Sequence, residues 1–545
     1  MQLHLKSPAV TRSLTTLAGL VVFAALIFPN VLYRLTPAGF VRIPVEGAFL
    51  IALLLLPRRP RRIAGVVLGV LLGWLVVEKC LDMGFFSELN RPFDPVLDWV
   101  LFDDAYSFVV DSYGKAAAIG AVAAIVLLVG AVMALTTWSV LRIGELVAGN
   151  PKPALYAAGG TAVAWAATFA LGVSFTGGIP IAARSTATYA WDRAHQAQAG
   201  LKDESEFAKE VKQDAFATVP AAQMLTALEG KDVIFTFVES YGRSAIEHPT
   251  LAPVVDPVLD RLGGQLGSAG YQSRSGWLTS PTFGGGSWLA HSTFESGLWI
   301  NNQQRYRNLV SSNRLTLTRA FHNKDVRTVS VMPGATRAWP EGAFYGYDQV
   351  WDSRNLGYQG PKFSWAPMPD QYTLKQLNTV EYKKTPRKPL MVEMPLVSSH
   401  TPWAPIPAYL DDWDRVGDGS IYASMVADGK QPKALWADPR QVRPEHGKSI
   451  VYSVTSLVNW VLKYGDDKLV LVFLGDHQPS PIASGAGASH DVPISIVTKD
   501  KAVIERITDW RWADGLRPRG DTPQWPMNAF RDRFFTAFGT KAAAS

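Results

Sequence analysis

Cysteine is almost absent from this chain, since Cys80 is the only one among 545 residues. One cysteine cannot build a disulfide framework, a thiolate zinc cluster or an iron–sulfur site, so these classes are excluded. Charged residues are also scarce, at 18%, while hydrophobic residues reach 48%, which excludes a disordered chain. No tandem repeat is evident, which argues against solenoids and propellers. The length exceeds that of one compact core, so we expect at least two structural regions.

The apolar residues concentrate in the first third of the chain. Three segments carry no charged side chain and are each long enough, as a helix, to cross a hydrocarbon layer of about 30 Å. Two further segments, 40–57 and 63–85, contain charges near their ends, which can reach toward the lipid headgroups. A buried or re-entrant hairpin is the alternative for these two. We predict five transmembrane helices, at 13–33, 40–57, 63–85, 116–138 and 154–180.

The charges of the loops predict the orientation of these helices. Short loops rich in Lys and Arg stay in the cytoplasm. Four arginines between 57 and 63 separate the second and third segments, and Arg142 and Lys152 separate the fourth and fifth. The loop from 78 to 115 instead holds eight acidic residues against three basic ones. We therefore place the amino terminus in the cytoplasm and everything after residue 181 on the extracytoplasmic side, with the first segment as a retained anchor.

Composition divides the chain into three regions. Residues 1–181 are the predicted five-helix transmembrane domain. Residues 182–230 are polar and helix-favouring, which predicts a helical stem or linker. Residues 231–545 have the composition and the length of a large water-soluble domain. We expect this last region to carry the chemistry.

The soluble region contains short apolar runs rich in β-forming residues. They alternate with segments that can form helices, which predicts an α/β fold with a mostly parallel central sheet sandwiched by helices. In such sheets ligands bind at the carboxyl ends of the strands. The runs are at 233–238, 327–332, 390–397, 468–475 and 493–498.

Residues suited to chemistry stand at the ends of these runs. Glu239 follows the first run, and Asp476 and His477 follow the fourth. His400 follows the third, and Ser287 lies between a glycine turn and a predicted helix. Each has an ordinary structural reading as well: a turn, a helix cap, or, for Glu239, an ion pair with Arg243 or Arg274. All of them nevertheless fall at strand ends or a helix start within one domain.

These residue types are suited to metal-assisted phosphoryl chemistry. Glu239, Asp476 and His477 offer ligands for Mn²⁺, Zn²⁺ or Mg²⁺, and three protein ligands leave positions open for a hydroxyl and a substrate oxygen. Ser287 would supply that hydroxyl and act as the nucleophile, since coordination lowers its pKa. His400 could donate a proton to the phosphate or to the leaving group.

Residues 231–500 resemble the extracellular catalytic domain of the lipoteichoic acid synthase and phosphoglycerol transferase group, within the alkaline phosphatase and sulfatase superfamily. Five membrane spans followed by a stem also resemble that group, so the similarity covers most of the chain. The motifs that carry it are, in the family's order, VIFTFVES, GGGSWLAHSTFESGLW, RAWPEGAFYGYDQVWD, VSSHTPW and LVFLGDHQP.

The resemblance implies residue roles. Glu239, Ser287, Asp476 and His477 match the positions of a single Mn²⁺ site, with Ser287 at the position of the nucleophile. Positions that contact substrate are matched by Trp339 and His400, with Arg337 a further candidate for the phosphate. The group generally has threonine where this chain has Ser287. Sulfatases proper need a Pro or Ala two residues after the nucleophile and an Arg two further on, a pattern that 287–291 lacks, so a formylglycine sulfatase is disfavoured.

The sequence therefore predicts a membrane-anchored, metal-dependent phosphotransferase, with Mn²⁺ as the expected metal. It would move a phosphoglycerol-type headgroup from a phospholipid to a cell-envelope glycan or polymer through a covalent Ser287 intermediate, and no nucleic acid is expected as a partner. One alternative is a phosphodiesterase, phosphatase or sulfatase-like hydrolase that uses water as acceptor. Another is a catalytically silent envelope scaffold or sensor, which would bind no divalent metal.

Overall fold

The computed structural model describes residues 8–174 and 180–540, and the chain forms two compact units. The first unit comprises residues 1–87 and 91–203, and the second comprises residues 88–90 and 204–545. The finer division at residues 181 and 230 stays a prediction.

The first unit is helical. Two short strands, β1 Ile43–Pro44 and β2 Ala182–Ala183, pair in parallel within it. The helices of residues 8–210 are α1 Pro8–Ile27, α2 Val45–Leu54, α3 Arg58–Leu89, α4 Leu101–Tyr113, α5 Lys115–Gly149, α6 Pro151–Ala170 and α7 Ser185–Glu210.

Three of the five predicted membrane spans are present as helices long and apolar enough to cross a bilayer. These are α1, α3 and α5: α3 and α5 contain the predicted spans 63–85 and 116–138, whereas α1 overlaps the prediction at 13–33 and ends at Ile27. About half of the exposed large hydrophobic side chains of the described residues lie on these three helices, as contact with lipid requires. Length and composition thus support a membrane-anchored protein.

The other two predicted spans are not confirmed. The segment 40–57 forms only the ten-residue helix α2, which starts after Pro44, and ten residues rise only about 15 Å. The segment 154–180 forms α6, which has 20 residues but is rich in alanine and glycine, and therefore less apolar than the other three. Residues 175–179 of that prediction lie outside the described residues.

The second unit is built on a nine-stranded sheet. All five β-runs predicted from the sequence are strands of this sheet, and four strands were not predicted. In chain order the strands are β3 Asp232–Val238, β4 Gln272–Thr279, β5 Arg327–Met332, β6 Gln349–Asp352, β7 Leu390–Leu396, β8 Leu469–Gly475, β9 Asp491–Thr498, β10 Ala513–Asp514 and β11 Gln524–Pro526.

The sheet is mixed, so the prediction of a mostly parallel sheet is not confirmed. Its order is β10-β4-β9-β8-β3-β7-β5-β6, with β11 also paired to β4. Strands β8, β3, β7, β5 and β6 are parallel, whereas β9 is antiparallel to both β8 and β4. Strand β9 is buried along its whole length. A continuous apolar run gives no indication of strand direction, so the sequence alone does not predict whether β9 is parallel or antiparallel to its neighbours.

Helices cover both faces of the sheet, as predicted. Successive strand residues point to opposite faces, so Ile234 and Phe235 enter separate cores. One core lies against the helices 252–268, 370–377 and 439–464, and the other against the helices 287–296, 317–322 and 529–538. The helices of this unit are α8 Ser244–Glu247, α9 Ala252–Ser268, α10 Ser287–Ser296, α11 Gln303–Val310, α12 Leu317–His322, α13 Gly342–Tyr345, α14 Asp370–Leu377, α15 Ala423–Asp428, α16 Pro432–Trp436, α17 Pro439–Tyr464, α18 Pro481–Ser484, α19 Lys501–Glu505 and α20 Ala529–Phe538.

Candidate active site

Two central strands bring the acidic residues together. Strands β3 and β8 are parallel neighbours, and the last paired residues are Val238 and Gly475. Glu239 and Asp476 follow these residues directly, so both side chains emerge at the same edge of the sheet. A Cβ at Gly475 would lie 1.8 Å from the backbone oxygen of Tyr241, so only glycine allows the two loops to approach this closely.

A glycine turn places Ser287 at the start of a helix. Gly286 has φ +80°, a left-handed conformation that glycine adopts without steric cost. Helix α10 then begins at Ser287, as the sequence predicts, and its ten residues lead away from the site. The first backbone N–H groups of a helix have no partner within that helix, and they favour negative charge. The nucleophile candidate therefore stands where a phosphoryl group would be stabilised.

The four predicted ligands form one cluster. Ser287 Oγ donates to Glu239 Oε2 at 3.0 Å and lies 3.2 Å from His477 Nε2. His477 Nε2 is in turn 3.4 Å from Glu239 Oε1 and 3.5 Å from Asp476 Oδ2. The ligand atoms of Glu239, Asp476 and His477 all lie within 4.8 Å of one another, and all three side chains are buried.

Backbone groups fix the orientation of these side chains. Asp476 Oδ1 accepts the N–H groups of Ser240 and of His477, both at 2.8 Å, which leaves Oδ2 facing the cluster. His477 Nδ1 lies 2.8 Å from the carbonyl oxygen of Gln478. A carbonyl only accepts, so Nδ1 carries the hydrogen and Nε2 presents a lone pair to the other ligands.

The cluster carries negative charge that the described side chains do not neutralise. The two arginines considered above as partners of Glu239 bind elsewhere: Arg243 pairs with Glu247 and Asp491, and Arg274 with Asp514. Among residues 8–174 and 180–540, the only ion pairs of Glu239 and Asp476 are with His477. The ion-pair reading of Glu239 is therefore wrong for these two arginines.

The pKa values of the cluster reflect this charge. Burial and then the charge of Glu239 raise the pKa of Asp476 to about 6. Burial alone would lower the pKa of His477, but the carboxylates of Asp476 and Glu239 outweigh it and raise that pKa. Repulsion between two buried carboxylates is relieved by a cation placed between them. Two carboxylates, one imidazole lone pair and one hydroxyl are a donor set that fits a divalent metal ion.

The three predicted substrate-contacting residues lie outside this cluster. His400 is partly buried, its ring stacks on Trp365 at 3.7 Å, and burial lowers its pKa to about 4. The charges of His477 and Asp476 also act on His400, so it lies near the cluster. Trp339 and the exposed Arg337 belong to the segment between β5 and α13. Contact of these three residues with substrate stays a prediction.

Ser399 and His446 support the loops that carry the cluster. Ser399 Oγ donates to the carbonyl of Glu239 at 2.6 Å, and His446 Nε2 lies 3.0 Å from the carbonyl of Ser240. His446 is on helix α17. Ser399 stands beside His400 in the sequence, so its position at the end of β7 was a usable signal. Nothing in the sequence connects His446 with Ser240, 206 residues away.

A second buried pair lies beneath the cluster. His291 is one helical turn beyond Ser287, and its ring stacks on Phe237 at 3.8 Å. Its Nδ1 is 3.3 Å from Glu393 Oε1, and Glu393 also accepts a hydrogen bond from the hydroxyl of Tyr347. His291 therefore packs on Phe237 and pairs with Glu393.

Comparison with known proteins gives matches only at the level of solved structures. No family model matches the sequence, and no curated protein matches it. Lipoteichoic acid synthase LtaP from Listeria monocytogenes is similar at 14% identity, over 54% of this chain and 71% of that one, with a TM-score of 0.35. Phosphoglycerol transferase GacH from Streptococcus pyogenes, in complex with sn-glycerol-1-phosphate, is similar at 12% identity, over 64% and 82%, with a TM-score of 0.39.

A third match is the C-terminal periplasmic domain of EcEptC from Escherichia coli in complex with Zn. It is 14% identical over 50% of this chain and 74% of that one, with a TM-score of 0.34. The matches include the group that the motifs resemble. Their identities and TM-scores are too low to transfer a substrate or a residue role, so these must come from the site itself.

Proposed function

We propose that this protein is a membrane-anchored, metal-dependent phosphotransferase. It would move a phosphoglycerol-type headgroup from a phospholipid to a cell-envelope glycan or polymer, with Ser287 as the nucleophile. The observation that supports this most is the meeting of one hydroxyl with two buried carboxylates and an imidazole at the carboxyl end of a sheet. Those four groups come from three separate places in the chain, and a purely structural cluster has no need of the hydroxyl.

Glu239, Asp476, His477 and Ser287 would hold the metal, with Mn²⁺ as our proposal and Zn²⁺ or Mg²⁺ as the other candidates. A divalent ion bound there supplies Lewis-acid polarisation of the hydroxyl and of a phosphoryl oxygen. The protein itself orients Ser287 Oγ through Glu239 and offers the amino terminus of α10 to the phosphoryl oxygens. His400, Trp339 and Arg337 are proposed to contact the substrate from the surrounding loops.

The reaction would take place in two balanced steps. In the first, Ser287 Oγ loses its proton and bonds to phosphorus, the bond from phosphorus to the diacylglycerol oxygen breaks, and that oxygen takes a proton. In the second, an acceptor hydroxyl loses its proton and bonds to phosphorus, the bond from phosphorus to Ser287 Oγ breaks, and Oγ takes a proton. Water in place of the acceptor would give the hydrolase alternative from the same intermediate.

We further propose that the soluble region, 231–545, lies on the extracytoplasmic side. The amino terminus would be cytoplasmic, residues 182–230 would be a stem, and all five apolar segments in residues 1–181 would enter the membrane. The basic loops on one side and the acidic loop on the other support this orientation. A membrane anchor suits a lipid donor because it confines the search for that lipid to a thin layer.

The test is the intact mass of the full-length protein after incubation with phosphatidylglycerol and Mn²⁺. We expect a phosphoglycerol adduct on Ser287, together with released diacylglycerol. Ser287→Ala should give neither, whereas the control Ser311→Ala, at an exposed serine after α11, should behave as wild type. Adding a glycan acceptor should remove the phosphoglycerol adduct from Ser287 and add the same mass to the glycan. Free phosphoglycerol as the sole product would identify a hydrolase, and wild-type protein with neither metal nor adduct would identify a silent scaffold.

A further inference from the structure

One exposed aromatic ring stands beside the proposed nucleophile. Trp288 follows Ser287 directly and keeps 37% of its surface exposed. Among the described residues of the second unit, 204–540, it is the only large hydrophobic side chain with this degree of exposure, whereas the first unit has several dozen such side chains. A single exposed ring at a catalytic mouth is typical of a contact with a ligand and not of a surface for lipid chains.

Helix α11 holds this ring in place. Trp288 Nε1–H donates to Gln303 Oε1 at 2.9 Å, at the first residue of that helix. Trp339 Nε1 lies 3.4 Å from the hydroxyl of Tyr306, one turn further along the same helix. Both indoles are therefore attached to one face of α11 by their only polar group. The indole N–H groups are used by the protein, so a ligand can meet only the apolar faces and edges of the rings.

Gln303, which holds the indole of Trp288, belongs to a run of four side-chain amides. Residues 301–304 read Asn-Asn-Gln-Gln, and all four are at least partly exposed. The amide of Gln303, which holds the indole, still carries two N–H donors. Amides donate and accept hydrogen bonds without charge, so they suit a neutral ligand with several hydroxyl groups. A flat apolar ring flanked by amides has the properties needed to bind a sugar, whose C–H face packs on the ring while its hydroxyls meet the amides.

We propose that Trp288, fixed by Gln303, is a subsite for a pyranose ring of the acceptor, placed next to Ser287. This inference rests on the proposed function and adds to it the chemical class of the acceptor. It implies that the acceptor is recognised as a sugar ring and not merely as a free hydroxyl. Binding of the ring over Trp288 would bring one of its hydroxyls toward the phosphorus carried by the neighbouring serine.

The experiment uses one donor lipid and compares two kinds of acceptor, glycerol and a sugar. Full-length protein in nanodiscs receives phosphatidylglycerol labelled in its headgroup and Mn²⁺, with either glycerol or one of three pyranose trisaccharides, made of glucose, galactose or mannose. The quantity measured is the ratio of transfer to the sugar over transfer to glycerol at low acceptor concentration. Both reactions share the first step, so the ratio reports on the acceptor step alone, and the separate KM and kcat for each acceptor distinguish binding from chemistry.

We expect at least one trisaccharide to be the better acceptor in wild-type protein. Trp288→Ala should lower the ratio about tenfold by raising KM for the sugar, and Trp288→Phe, which keeps a flat ring, should restore most of it. Gln303→Ala, which frees the indole, should lower it about threefold. The matched control is Trp191→Ala, an exposed tryptophan on α7, which should leave the ratio unchanged.

Two results would overturn the proposal while leaving the proposed function intact. One is a wild-type protein that forms the Ser287 adduct and transfers to glycerol but to none of the sugars. The other is a Trp288→Ala variant with an unchanged ratio, and if that variant also loses affinity for phosphatidylglycerol vesicles, Trp288 contacts lipid. Failure to form any adduct on Ser287 would instead defeat the proposed function itself.

Discussion

Each of the two units buries a cluster of ionisable side chains, and the two clusters differ in their balance of charge. In the first unit Glu78, Lys79 and Asp82 of α3 are buried. Asp82 lies 3.6 Å from Arg193 of α7, and Lys79 donates to Thr186 of the same helix at 2.9 Å. This set therefore holds two acidic and two basic side chains, of which Asp82 and Arg193 form an ion pair.

The cluster of the second unit has no such balance, since Glu239 and Asp476 are accompanied only by His477. Removing one partner of a buried ion pair leaves the other charge without compensation, which destabilises the fold. Neutralising one of two neighbouring carboxylates instead removes the repulsion between them. The first cluster therefore joins two helices with its charges balanced, whereas the second keeps an excess of negative charge, which suits the metal site that we propose.

The largest expected effect is that of Asp476→Asn. We expect metal affinity to fall at least about 100-fold, because one of three protein ligands loses its charge, and adduct formation to fall with it. The metal-free variant should nevertheless be at least as stable as metal-free wild type. Isothermal titration with Mn²⁺ and thermal melting in detergent measure the two quantities. A variant that melts several degrees lower without metal would contradict the charge argument.

The opposite pattern is expected for Asp82→Asn in the first unit. Arg193, whose side chain is 12% exposed, would lose its carboxylate, and the free energy of unfolding should fall by about 3–5 kcal/mol. Affinity for Mn²⁺ should stay within twofold of wild type. Unfolding in mixed micelles and the same titration check this. Unchanged stability would mean that the first cluster is not a structural set.

The next expected effect is a dependence of stability and of metal affinity on pH. The pKa of Asp476 is raised to about 6 in the folded protein, so the folded state holds a proton that the unfolded state has released above about pH 4. Its contribution to the stability of metal-free protein therefore falls as pH rises from about 4 to 6 and is constant above that. Melting curves of wild type minus those of Asp476→Asn isolate this contribution from those of other buried carboxyls. Metal affinity should weaken as pH falls below about 6, because protons compete for the ligand.

The smallest expected effect, on both stability and metal affinity, is that of Glu247→Gln. Glu247 is 42% exposed and pairs with Arg243 at 2.7 Å. Glu247→Gln should lower the free energy of unfolding by less than about 1 kcal/mol, since exposed ion pairs contribute little. It should not change metal affinity, because Arg243 does not contact the cluster. A large loss of affinity would show that this arginine is coupled to the site after all.

The candidate site could be predicted from the sequence because its residues are adjacent to strong local patterns. Glu239 and Asp476 each follow a run of apolar residues, and parallel strands end at the same edge of a sheet. Ser287 follows three glycines and begins a helix. Local patterns of this kind fix where a side chain emerges, even when its partners are more than 200 residues away.

Long-range features were harder to predict. The direction of β9 is decided by its pairing with β4, a strand whose mixed composition was not recognised in the sequence. The apolar segment 40–57 reads as a membrane span, but Pro44 restricts its helix to ten residues. The support of Ser240 by His446 depends on the packing of α17 against the sheet, which no local signal reveals.

The carbonyl oxygen of Gln478 has a further consequence. It accepts the Nδ1–H of His477 and also the backbone N–H of Gly284, at 2.8 Å in each case. The loop that precedes Ser287 and the imidazole of the proposed metal site therefore bind to the same oxygen atom. Deuterium uptake at the Gly284 amide should slow when the metal binds, which makes this one backbone position a reporter of occupancy that needs neither substrate nor mutation.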